Sequence, residues 1–110
     1  MAAFWNDTPL YPAISIQVLQ ECFATFVRKK IPPAHAFGVI ELYSQWNVID
    51  NDKNILFEGI RIQRTYGISI WDALIVAAAK KANAKYILTE DLNHKQTYEG
   101  VKILNPFLNH

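Results

Sequence analysis

A single cysteine, Cys22, leaves this chain unable to form an internal disulfide or a multi-cysteine zinc site. Charge is scarce as well. Asp, Glu, Lys and Arg make up 19% of the residues and the net charge is +1, so no long-range field declares a nucleic-acid binder. The 4 glycines are scattered, and none builds a Gly-rich phosphate loop after a strand, which weighs against a small nucleotide-binding α/β module. No apolar run approaches the roughly 20 residues of a membrane span. The opening Met1-Ala2-Ala3-Phe4-Trp5-Asn6-Asp7 lacks the basic region and apolar stretch of a secretory signal. Repeats and low-complexity tracts are missing too. Together these absences predict one domain over residues 1–110, in a reducing, cytoplasmic setting.

What is present is a core. Hydrophobic residues make up 51% of the chain, enough for an ordered domain of 110 residues. Ala13-Ile14-Ser15-Ile16 reads as a brief strand and Gln17 to Lys30 as a helix. In that helix Val18, Cys22 and Phe26, and Leu19, Phe23 and Val27, repeat at helical spacing, so Cys22 is expected as a buried, inert thiol. Pro32 and Pro33 end it and open a second helix to about Gln45. Trp46 to Ile49 is a further strand. Asp50 or Asn51 then caps a helix from about Asp52 to Tyr66, which Gly67 terminates. Ser69 caps another, to about Ala82. Strand Tyr86 to Thr89, a short helical turn, and strand Val101 to Leu104 follow. Alternating strands and helices imply parallel pairing with helices on both faces: an α/β/α sandwich with a mostly parallel sheet.

Two acidic places stand out. Between Ile70 and Ala79 every residue but Asp72 is apolar, so a helix without a wet face carries a carboxylate in its first turn. The strand ending at Thr89 runs directly into Glu90 and Asp91. Helix starts and strand ends converge at the rim of an α/β sheet, where ligands bind. Asp72 also stands at capping-box distance from Ser69, a role compatible with ligation because a carboxylate has several lone pairs. Asp91 can equally cap the short turn after it, and Glu21 lies nearly opposite its helix's apolar stripe, as a solvated residue does. Trp71 is expected in the core. The basic groups Arg28-Lys29-Lys30, Arg61 with Arg64, and Lys80-Lys81 with Lys85 read as solvated helix ends and faces.

The segments Ser69-Ile70-Trp71-Asp72-Ala73-Leu74-Ile75-Val76-Ala77-Ala78-Ala79 and Ile87-Leu88-Thr89-Glu90-Asp91-Leu92 resemble a PIN-domain protein, most of all the VapC-type toxins of bacterial toxin–antitoxin pairs. The likeness extends upstream to Ile14-Ser15-Ile16-Gln17-Val18-Leu19-Gln20-Glu21 and downstream to Gly100-Val101-Lys102-Ile103-Leu104-Asn105-Pro106-Phe107, covering the chain from about Ala13. The resemblance implies a metal-dependent endoribonuclease. Glu21, Asp72 and Asp91 would hold Mg²⁺ or Mn²⁺, with Thr89 supporting and Glu90 secondary. Such hard ions take oxygen ligands and can activate a water for attack on a phosphodiester. An RNA substrate, a cognate antitoxin and a homodimer are the partners it implies.

The chain departs from that pattern at its beginning. Family members open with a strand bearing an aspartate in a motif like Asp-Thr-Asn, then a helix, and neither is recognisable here. Asn6-Asp7-Thr8 is superficially similar, but no apolar strand is apparent before it, so Asp7 is a weak candidate for the fourth ligand. The sheet should then have an open central slot, filled by another segment or by a partner chain. Two functions remain open on the sequence: a ribonuclease toxin, or an N-terminally truncated, impaired relative that binds RNA or antitoxin and is completed by a partner.

Overall fold

A computed structural model describes residues 3–5, 13–89 and 96–105. The described residues form a 6-stranded sheet in the order β3-β2-β1-β4-β6-β5, together with helices α1 to α4. The strands are β1 (Ala3–Trp5), β2 (Ala13–Ser15), β3 (Asn47–Ile49), β4 (Tyr86–Leu88), β5 (Thr97–Tyr98) and β6 (Val101–Leu104). The helices are α1 (Ile16–Arg28), α2 (Pro33–Tyr43), α3 (Lys53–Tyr66) and α4 (Ile70–Lys81). β2 runs parallel to β3, and β4 to β6. β1 is antiparallel to both β2 and β4, which therefore point the same way. Four of the 6 strands share one direction, as a mostly parallel α/β sheet requires.

All three positions of β2 are buried. Successive strand side chains point to opposite faces, so layers must cover the sheet on both sides. Phe4, Ile14, Ile62, Val76, Ile87 and Ile103 are the largest fully buried side chains. Gly59, buried on α3, admits α4 closely: a Cβ there would stand 2.6 Å from Leu74 Cδ2. Any larger residue would push the two helices apart.

The start of the chain corrects one expectation. An apolar strand does precede Asn6-Asp7-Thr8. It is β1, and it fills the central slot from within the chain, with Phe4 opposite both Ala13 and Ile87. Phe4 is only 1% exposed, so burial of one large side chain secures a strand of 3 residues. The slot between β2 and β4 needs no partner strand. β5 likewise adds a strand to those the sequence pattern predicts. It forms a hairpin with β6 through Glu99 and Gly100, both at positive φ (54° and 79°), the backbone of a two-residue primed turn.

Boundaries elsewhere agree closely. Ser69 Oγ accepts from the backbone N–H of Asp72, capping α4, and Gly67 closes α3 at φ 69°. The cap of α3 is Asp52, whose Oδ1 accepts from Ile55 N at 2.9 Å, rather than Asp50 or Asn51. Cys22 is half-buried, and burial raises its thiol pKa, in keeping with an inert thiol. The short helical turn expected after Asp91 lies outside the described residues. No described helix is long and apolar enough to cross a membrane.

Candidate metal centre

Strand direction sets where the acids go. Ser15, Ile49, Leu88 and Leu104 end β2, β3, β4 and β6 at one common rim. α1 begins at Ile16 with no intervening loop. Ser15, 2% exposed, is both the last residue of β2 and the cap of α1, its Oγ accepting from Val18 N at 3.1 Å. The first two turns of α1, with Gln17, Gln20 and Glu21, therefore stand on that rim.

The first turn of α4 meets them there. Gln17 is 6% exposed, and its Nε2 donates to Glu21 Oε1 at 2.8 Å and to the backbone carbonyl of Trp71 at 3.3 Å. One buried amide thus orients a carboxylate and ties α1 to α4 one residue before Asp72. Glu21 itself is exposed, and among the described residues no cationic side chain pairs with it. Asp72 is half-buried at the α4 N-terminus, where the helix dipole favours negative charge. Thr89 is 3% exposed, and its backbone N–H donates to the Leu104 carbonyl at 3.0 Å. That bond carries the β4–β6 pairing one residue past Leu88, at the same rim. Glu90 and Asp91 come next and lie outside the described residues.

The Gln17 bridge therefore links Glu21 to the α4 backbone one residue before Asp72, with Thr89 at the end of a strand on the same rim. Among the described residues no group of three His, Cys, Asp or Glu side chains gathers closely enough to hold a metal ion. The two acids are oxygen donors, and among the described residues no His or Cys joins them in a metal-binding group. That donor chemistry fits a hard divalent cation such as Mg²⁺ or Mn²⁺. Asp7 also lies outside the described residues.

Sequence reasoning missed two features here. In the sequence pattern Gln17 shows only as a helical residue. Its signal was the Gln17-to-Glu21 spacing, which places both side chains on one helix face. Trp71 is not a core residue: it is 62% exposed, because the first turn of α4 emerges at the rim before the helix enters the core. A shallow cleft, largely open to solvent, lies between Trp71 on α4 and Gln17, Gln20 and Glu21 on α1.

A family model described as PIN domain matches residues 2–100, a span that includes β1. No curated protein matches the chain.

Proposed function

This chain belongs to the PIN-domain family, and on that premise we propose that it is a metal-dependent endoribonuclease of the VapC toxin kind, acting in a reducing cytoplasm. The family indicates a nuclease. What supports the finer reading is the Gln17 bridge, which holds Glu21 beside the α4 turn that carries Asp72. In this reading Glu21, Asp72 and Asp91 hold Mg²⁺ or Mn²⁺, with Thr89 supporting the last of them and Glu90 secondary. When bound, such an ion lowers the pKa of a water and neutralises charge on the scissile phosphate. The protein's own part is to orient carboxylates. Gln17 holds Glu21 in one rotamer, and the Ser69 cap keeps the α4 turn in register for Asp72. A cognate antitoxin would silence the enzyme. A homodimer would cover some of the exposed apolar residues Phe23, Val27, Phe37 and Leu42 on α1 and α2.

One observation favours a second reading. At the rim the central strand offers Ala3, paired with Leu88, and no acid. A centre that lacks a central-strand carboxylate would hold its ion weakly. An impaired relative that binds RNA or antitoxin and gains activity from a partner is then the alternative. Purified chain incubated with single-stranded RNA and Mg²⁺, beside Asp72→Asn and Asp91→Asn, separates the two. Cleavage by the chain alone, abolished by either change and by EDTA, is the expected result. RNA bound but left intact at every Mg²⁺ and Mn²⁺ concentration would favour the impaired reading.

A further inference from the structure

We propose that Trp71 is a stacking platform for an unpaired nucleobase of the RNA, seated in the cleft between α4 and α1. This deepens the ribonuclease reading and rests on it for the identity of the ligand. A singly exposed aromatic residue is common on protein surfaces and by itself says nothing. Three observations give this one a role. Trp71 immediately precedes Asp72, so a base on its indole would belong to a nucleotide next to the phosphate that the acids address. The shallow, open cleft beside it is lined by Gln17, Gln20, Glu21 and Trp71, which leaves one face of the indole free to meet a flat ring. The backbone of Trp71 is also held, because its carbonyl accepts from the buried Gln17. The indole therefore projects from a fixed point.

The chemistry of the lining selects the ligand. The exposed carboxamide of Gln20 and the indole offer a hydrogen bond for a base edge and a π-face for stacking, and among the described residues that line the cleft there is no Lys or Arg to grip a phosphate. Glu21 on its floor repels a bare phosphate, which must approach with a cation, but leaves a neutral base unaffected. Duplex RNA keeps its bases stacked on one another, so the platform selects single-stranded segments. Gln20, exposed on the adjoining turn, is placed to contribute the edge contact.

The test measures binding without cleavage. A fluorescein-labelled single-stranded RNA octamer is titrated with wild type, Trp71→Phe, Trp71→Ala and Phe57→Ala in EDTA at moderate salt, and anisotropy is read. Repulsion by the acids is then common to all variants, so the ratios isolate the ring. Stacking on an aromatic side chain contributes about 1–3 kcal/mol per base, so Trp71→Ala should weaken binding by roughly 5- to 150-fold. Trp71→Phe should stay within about 3-fold of wild type, because a smaller ring still stacks. Phe57, exposed on α3 away from the cleft, is the control, and Phe57→Ala should bind as wild type does. Quenching of tryptophan emission by the RNA should be largely lost in Trp71→Phe. Equal affinity for wild type and Trp71→Ala, or equal loss in Phe57→Ala, overturns the proposal. Separate cleavage assays keep the two readings distinct: a Trp71-dependent affinity in a chain that never cuts RNA leaves the platform standing and removes the ribonuclease. A Trp71→Ala change that weakens only antitoxin binding assigns the indole to a protein and overturns the platform.

Discussion

At the start of β6, Glu58 and Glu99 are each met by both Arg61 and Lys80, whereas at the end of β2 the exposed Glu21 is met by the neutral amide of Gln17. The first cluster is a closed network. Tyr66 Oη donates to Glu99 Oε2 at 2.8 Å and accepts from the backbone N–H of Glu99 at 3.2 Å. It clamps the β5–β6 turn onto α3 and the C-terminal end of α4. The hydrogen bonds from Arg61 and then Lys80 hold the Glu58 carboxyl down from 4.5 to about 2. Arg61 likewise lowers Glu99. The other rim orients its acid without cancelling its charge. An acid neutralised by guanidinium has nothing left for a cation, while one held by an amide keeps its negative charge in a defined direction. Chain chemistry thus separates an end of the sheet whose acids are paired with cations from an end where the acid is held by a neutral amide.

That comparison can be broken at several strengths. The largest effect removes the frame common to both rims. Phe4→Ala empties the centre of β1 and should cost about 3–5 kcal/mol, read as a fall in the urea midpoint that disturbs both ends together. Next comes Asp72→Asn. Residues that merely orient metal ligands cost about 10- to 100-fold when removed, so loss of a ligand itself should lower cleavage by at least ~100-fold while the melting temperature hardly moves. Gln17→Leu should fall within that roughly 10- to 100-fold range. Its mark would be a raised Mg²⁺ requirement, partly restored by more Mg²⁺, which a change that only loosened the fold would not give. Glu99→Gln should show the opposite pattern: a melting temperature lower by roughly 2–6 °C with cleavage unchanged.

The smallest effect is a pH dependence. Glu58 titrates lower in the folded chain than in the unfolded one, so its contribution is complete above 4.5 and is lost as pH falls toward 2. Solvent screening of an exposed network limits this to about 0.5 kcal/mol. The urea midpoint of wild type should therefore decline more steeply between pH 5 and pH 3 than that of Glu58→Gln. Parallel curves would show that the ion pairs add nothing.

How far each feature was legible follows from the range of the interaction behind it. The Ser69 cap, the left-handed Gly67 and the bounds of β6 depend on neighbours within a few residues, and patterning reached them. Asp50-Asn51-Asp52 offers consecutive cap-competent residues, so local reasoning could not choose Asp52. β1 spans only 3 residues, too few for a period to register, and one of its two neighbours, β4 with Ile87, is distant in sequence. Trp71 sits in an unbroken apolar run that looks like core at every position. Where a helix enters the sheet layer is a tertiary fact.

By itself the sequence determined an α/β/α domain, its helix caps and the acidic residue types suited to a hard cation, because propensity, capping and donor chemistry act through the residue and its near neighbours. Tertiary structure alone decided the antiparallel central strand, the bridge from Gln17 to the Trp71 carbonyl and the exposure of that indole. Those depend on which distant segments share a rim, and strand order and direction set that only once the core has closed.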